Sequence, residues 1–307
     1  MTCGDDNLDA LGTTASGTGL GANLTTPMTS PTRVRWKRLV FRLATFLLAI
    51  WMALLIVGYF VQDSLVFPRG MIPVSAYSGP VPSDVEVITL QTSEGDVPAW
   101  LLSGNPGAGL VVYLHGNGGV IDRSVSEARR LRRLGWHVVM PEYRGYGRAA
   151  GSPSQASISA DITAVVGEVR ARPEVDGPLV LYGRSIGADF AATLAESLGA
   201  DGLILQTPPA GIRQMAAGYL MPGFLVSSPL DAVAALRTME PVPTVVLEHA
   251  RDTMIPSSQI AQVVAASNGV HVIVDGTHNG YGSREAQAEA QAAVDALLER
   301  VVLAEGG

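Results

Sequence analysis

Apolar and polar positions along the chain fall into three regimes. Residues 43–61 read LATFLLAIWMALLIVGYFV, nineteen positions with no charge and no polar face. That is close to the roughly 20 residues a helix needs to cross a bilayer, whereas a helix in a soluble protein normally keeps one polar stripe. From about residue 85 the pattern changes to short β-branched runs separated by longer amphipathic stretches. Residues 85–91 and 97–102 predict an antiparallel strand pair around Ser93, Glu94 and Gly95. Six further runs, at 110–114, 137–140, 179–182, 203–205, 244–247 and 270–274, are almost continuously hydrophobic, as expected of parallel strands buried on both faces. Helical periodicity occupies 123–134, 158–172, 186–198, 257–266 and 284–303. Strand alternating with helix predicts right-handed crossovers and an α/β, doubly wound, mostly parallel eight-stranded sheet. The third regime, residues 1–32, is rich in Gly, Thr, Ser and Asn without periodicity and reads as a disordered tail.

These regimes set the expected boundaries. A basic flank and transmembrane signal anchor take up 33–63, with the span at about 43–61, and a Pro/Gly/Ser-rich extended neck runs over 64–84. The α/β body occupies 85–307. One connection in it is long, 207–242, and its Met215, Tyr219, Leu220, Met221, Phe224 and Leu225 suggest a short lid whose apolar side chains, Met215 and Leu220 among them, line an acyl pocket.

Charge adds direction. Arg33, Arg35, Lys37, Arg38 and Arg42 precede the span, and the next basic residue after it is Arg69. The asymmetry predicts a cytoplasmic N-terminus and an extracytoplasmic body held in the lipid bilayer through 43–61. Beyond residue 42 there are 16 Arg against 25 Asp plus Glu, a net −9, which argues against nucleic acid as a partner. Cys3 is the only cysteine, so neither an intrachain disulfide nor a multi-cysteine metal site is available. No Walker motif or strand-to-helix G-x-G-x-x-G supports a nucleotide site.

The candidate chemistry sits where strands end. Gly183-Arg184-Ser185-Ile186-Gly187 follows an apolar run and opens a helix, the strand–turn–helix setting in which G-x-S-x-G exposes a serine. His115-Gly116-Asn117-Gly118-Gly119 follows 110–114, and Tyr143-Arg144-Gly145-Tyr146-Gly147 follows 137–140. Asp252 follows 244–247 and His278 follows 270–274, which places every candidate on one edge of one sheet.

Together HGNGG, YRGYG, GRSIG, the D-x-x-x-P loop from Asp252 to Pro256, and GTHN resemble the α/β-hydrolase superfamily. Within it they are similar to small membrane-anchored serine hydrolases related to the serine aminopeptidase and acyl-thioesterase branches. The resemblance implies Ser185 as nucleophile, His278 as general base and Asp252 as the acid that orients it, with no cofactor and no metal. It implies an oxyanion hole from the backbone N–H of Ile186 and of Asn117 or Gly118. Because that role rests on backbone, the side chain at Asn117 is expected to matter little. His115 is implied to be structural, and Asp275 stands as an alternative acid close to His278. Arg144 and Tyr146 are either loop-packing residues or substrate contacts, and Arg184 and Asp189 are expected to make local contacts. The expected substrate is a small-molecule carboxylic ester or thioester, with a peptide bond as the same-chemistry alternative and a catalytically silent, membrane-tethered binding protein on the same fold as the alternative of another class.

Overall fold

A computed structural model describes residues 31–73, 76–213, 225–226 and 228–305. Helix α1 (Pro31–Val66) begins two residues inside the segment expected to be tail and continues past the expected span. Within it Arg35–Ser64 is, among the described residues, the one helical stretch long and apolar enough to cross a membrane. At 1.5 Å per residue its 30 residues extend about 45 Å, against a hydrocarbon core of about 30 Å.

The neck departs from the expected extended form. A turn of 3-10 helix covers Arg69–Met71, and Phe67 and Ile72 on either side of it are buried in the core of the body. Proline and glycine content marked an irregular segment there; the two isolated apolar residues that pin it down carry no periodicity.

The body is built on an eight-stranded sheet. Its strands are β1 (Glu86–Thr92), β2 (Gly95–Leu102), β3 (Ala108–Leu114), β4 (His137–Pro141), β5 (Val175–Arg184), β6 (Gly202–Gln206), β7 (Thr244–His249) and β8 (Val270–Val274), in the spatial order β1-β2-β4-β3-β5-β6-β7-β8. β1 and β2 form the expected hairpin, paired from Glu86↔Leu101 to Thr92↔Gly95, and β2 runs antiparallel to β4. β3 to β8 are parallel.

Alternate side chains of the central strands enter two cores. Leu110, Val112 and Leu114 of β3 face the core built with α3 (Gln155–Arg170), α4 (Ile186–Leu198), α5 (Ala232–Thr238) and α6 (Ser257–Ser267). Val111 and Tyr113 face the one built with α2 (Ile121–Arg133) and α7 (Arg284–Glu305). Burial on both faces is why these strands read as unbroken apolar runs. β8 is the exception, since it lies at the sheet edge with Val270 and Ile273 each 54% exposed. The short strands β9 (Gly276–Thr277) and β10 (Gly280–Tyr281) form a hairpin beyond it.

The topology locates the site. β3 and β5 are neighbours, yet the chain leaves β3 toward β4 on one side and leaves β5 toward β6 on the other. Such a switch point opens a crevice beyond the C-terminal strand ends, and here the HGNGG turn and Ser185 stand at its two sides.

Candidate functional site

Ser185 lies between β5 and α4 with φ 53° and ψ −124°, a positive-φ conformation that costs a non-glycine residue about 1–3 kcal/mol. The neighbouring backbone imposes it. Ser185 N–H donates to the Gln206 carbonyl at 2.8 Å, and Ala188 N–H donates to the Ser185 carbonyl at 2.8 Å. The flanking glycines allow the turn to close: a Cβ on Gly187 would overlap the Leu114 carbonyl oxygen, and one on Gly183 the Gly187 carbonyl oxygen. Across the crevice, a side chain on Gly116 would stand 3.3 Å from Ser185 Cβ.

His278 lies within reach of the serine, its Nε2 3.0 Å from Ser185 Oγ. Its Nδ1 is 2.7 Å from Asp252 Oδ2. A carboxylate oxygen accepts, so Nδ1 carries the proton and Nε2 is left to accept from the serine hydroxyl. Asp252 is fixed in turn by its other oxygen, Oδ1, which takes the N–H groups of Met254 at 2.8 Å and Ile255 at 2.9 Å. Ser185, His278 and Asp252 therefore form one unbroken hydrogen-bonded line. Asp275 is turned elsewhere, in an exposed ion pair with Arg251 at 2.7 Å.

The loop bearing His278 is held from two sides. Arg184 donates to the His278 carbonyl at 2.8 Å, a longer reach than the local contact expected of it. His249 Nδ1 donates to the Thr277 carbonyl at 2.6 Å, while its Nε2 accepts from Gln206 at 3.2 Å. Burial holds the His249 pKa below its ordinary value, and the Thr277 carbonyl partly opposes that shift. No local motif in the sequence marked His249 or Gln206 for this work.

On the opposite side the HGNGG turn is tied down by side chains. His115 is buried with Nε2 2.8 Å from Glu142 Oε1 and Nδ1 2.9 Å from the Gly116 carbonyl. Its ring lies 4.0 Å from that of Tyr143, whose hydroxyl donates to the His115 carbonyl at 2.8 Å. Asn117 reaches two partners through its side chain, beyond the backbone role expected of it. Its Nδ2 donates to the Val66 carbonyl at 2.5 Å, and its Oδ1 accepts from the Tyr146 hydroxyl at 2.5 Å.

Among the described residues the N–H groups of Ile186, Asn117 and Gly118 donate to no protein carbonyl, whereas Gly119 donates to the Gly116 carbonyl at 2.8 Å. Ile186 opens α4, so its N–H is one of the orphan donors at a helix start.

Arg144 and Tyr146 are corrected as substrate contacts. The Arg144 guanidinium is clasped by Asp161 at 2.7 Å and Glu94 at 3.0 Å, and Tyr146 is 1% exposed with its hydroxyl on Asn117. Burial raises the Tyr143 and Tyr146 phenols well above their ordinary pKa, so both stay hydroxyl donors. Met215 and Leu220, expected to line an acyl pocket, lie outside the described residues. Asp189, one turn beyond Ser185 on α4, is completely buried with neither carboxyl oxygen partnered, and burial pushes its pKa well up. No group of three or more His, Cys, Asp or Glu suited to holding a metal occurs among the described residues.

Residues 105–298 match the family model of the serine aminopeptidases, S33. A lysophosphatidylserine lipase, ABHD12 of Xenopus tropicalis, is 34% identical over 117 residues, covering 36% of this chain and 30% of that protein. The chain thus matches under a third of that relative's length. An uncharacterised Escherichia coli K12 protein, YfhR, is 25% identical over 236 residues, covering 72% of this chain and 83% of its own. Among solved structures, the Pyrococcus furiosus esterase Pf2001 superposes with a TM-score of 0.58 at 17% identity, over 73% of this chain and 94% of that one.

Proposed function

The chain belongs to the serine aminopeptidase (S33) family of α/β-hydrolases, and we propose that it is a hydrolase acting on acyl bonds that cleaves a carboxylic ester or thioester through a Ser185 acyl-enzyme. The observation that supports this reading is the line Asp252–His278–Ser185, at 2.7 and 3.0 Å. His278 Nε2 takes the hydroxyl proton as Ser185 Oγ attacks the acyl carbonyl, then returns it to the leaving group. Asp252 holds the imidazole tautomer and stabilises the imidazolium. The unpartnered N–H groups of Ile186 and of Asn117 or Gly118 receive the oxyanion, one such donor being worth about 3 kcal/mol in the transition state. A water activated by the same histidine then frees the acid.

The reading extends to location and substrate. Helix α1 anchors the enzyme in a bilayer through about 43–61, and the basic flank before it sets the body on the extracytoplasmic side. An active site on the end of a membrane helix favours esters with lipid-like acyl chains, in keeping with the name of the lysophosphatidylserine lipases that the chain matches. The test is a panel of p-nitrophenyl esters and acyl thioesters of graded chain length, with aminoacyl anilides beside them. The wild type turns over esters or thioesters and reacts with a fluorophosphonate probe, and Ser185→Ala does neither. Equal labelling of the two proteins would end the serine-hydrolase mechanism, and turnover of the anilides alone would replace the esterase by a peptidase.

A further inference from the structure

The last turn of α1 is built into the catalytic body. The final carbonyls of a helix have no partner within it and need an outside donor. For Val66 that donor is the Asn117 side chain, at 2.5 Å and 51 positions away in sequence. A carbonyl can only accept, so the contact fixes Nδ2 toward Val66 and leaves Oδ1 to take the Tyr146 hydroxyl.

The next residue, Phe67, is 1% exposed and stacks on Phe190 of α4 with ring centroids 6.4 Å apart. Phe190 in turn meets Tyr143 at 5.5 Å, and Tyr143 holds the His115 carbonyl. One turn earlier, Asp63 Oδ1 accepts from the Ser228 hydroxyl at 3.1 Å. The helix end thus touches Asn117 of the HGNGG turn, Phe190 of α4 and Ser228 in the long 207–242 connection.

We infer that Asn117 is a positioning residue, whose side chain uses the carbonyl end of the membrane helix to aim the backbone N–H groups of the oxyanion turn. The inference rests on the serine-hydrolase reading above. The membrane helix is then a structural part of the active site as well as a tether. A change that unseats Val66 and Phe67 lowers transition-state stabilisation, while Ser185, His278 and Asp252 keep their places.

The experiment uses the full chain in detergent or vesicles, with rates normalised to folded protein. Asn117→Asp keeps size and the Tyr146 acceptor but faces Val66 with an oxygen that cannot donate. It is expected to lower kcat on a short p-nitrophenyl ester by about 10- to 100-fold, below the loss of a complete oxyanion donor, with KM within about twofold. The inhibition constant of a trifluoromethyl ketone, whose adduct places an oxyanion in the same hole, rises by a matching factor. Tyr146→Phe removes only the hydroxyl that holds Asn117, and Phe67→Ala loosens the helix end. Both shift the same two quantities in the same direction, and they keep the test open if Asn117→Asp does not fold. An active wild type with wild-type kcat and ketone binding in Asn117→Asp and Tyr146→Phe overturns this inference alone. A wild type that hydrolyses no acyl substrate overturns the reading beneath it.

Discussion

His278 and His115 are both buried histidines beside a carboxylate, at 2.7 Å from Asp252 and 2.8 Å from Glu142, on opposite sides of Ser185. What separates them is the second ring nitrogen. That of His278 faces a hydroxyl, which can give up its proton and take it back. That of His115 faces the Gly116 carbonyl, which can only accept, so the proton between them has nowhere to go. A histidine–carboxylate pair thus stands as a strut in one place and, on the function proposed above, as a proton shuttle in the other. Burial and pairing alone do not distinguish them; the chemistry of the third partner does.

The sharpest way to break the comparison is to remove each ring. His278→Ala is expected to lower kcat by about 10⁴-fold, the loss typical of removing one member of a catalytic triad, and to cost less stability than His115→Ala, because Asp252 keeps the N–H groups of Met254 and Ile255. A large fall in stability with modest loss of turnover would reverse the two roles. Asp252→Asn, whose carbonyl stays on the Met254 and Ile255 N–H groups and so turns its NH2 toward Nδ1 and favours the wrong tautomer, is expected to cost nearly as much in kcat.

The second largest effect belongs to the strut. His115→Ala leaves Glu142 buried without its partner and is expected to cost about 3 kcal/mol of stability, as breaking a buried pair does. Turnover per folded molecule changes far less than in His278→Ala. Urea denaturation followed by single-turnover kinetics on the same preparation separates the two quantities. If His115→Ala is as stable as the wild type, the pair is not a strut.

The sequence made the frame of this site legible because strand ends and glycine turns are local features. Six unbroken apolar runs and one hairpin pattern placed all eight strands, and Ser185, Asp252 and His278 stood on three loops at one sheet edge, where the family resemblance supplied their roles. β8 was read as buried on both faces although Val270 and Ile273 are exposed, since an edge strand of this composition has the same pattern as a central one. The struts were the illegible part. Asn117 meets Val66 over 51 positions and Arg184 meets His278 over 94. Such bonds depend on where the fold brings two distant segments, and the local motifs that hold Asn117, Arg184 and His278 do not identify the partner across the fold.

A third buried carboxyl sharpens the comparison from the other side. Neither oxygen of Asp189 makes a hydrogen bond of ordinary geometry, and burial raises its pKa well above the ordinary carboxylate value of 3.8, opposed by the nearby Ala232 N–H and reinforced by Asp231. In the folded state it keeps its proton at pH values where the unfolded chain has lost it. Its stability contribution is therefore fully present below pH 3.8 and falls away as the pH rises toward the folded pKa. Asp189→Asn, which mimics the protonated acid, is expected to match the wild type near pH 4 and to exceed it at pH 8 by about 1–3 kcal/mol. Thermal melts across that range check it. A constant difference at all pH values would mean that Asp189 ionises normally.

Arg184 tests how much of the shuttle's placement comes from outside the pair. Its guanidinium binds the carbonyl of His278 itself, while His249 binds the carbonyl one residue earlier and Asp252 holds the ring. Three restraints on two adjacent residues make any one of them partly redundant. Arg184→Met keeps the apolar stem and removes one charge-assisted bond, worth about 1.5–3 kcal/mol when nothing compensates. With His249 and Asp252 still in place the expected cost is smaller, a fall in kcat/KM of about three- to tenfold, under about 1.4 kcal/mol. Pairing Arg184→Met with a substitution at His249 then lowers the rate by more than the product of the single effects, because the loop has lost both backbone restraints. Strictly multiplicative rates in that double-mutant cycle would show that the two residues act independently and that the ring is held by Asp252 alone.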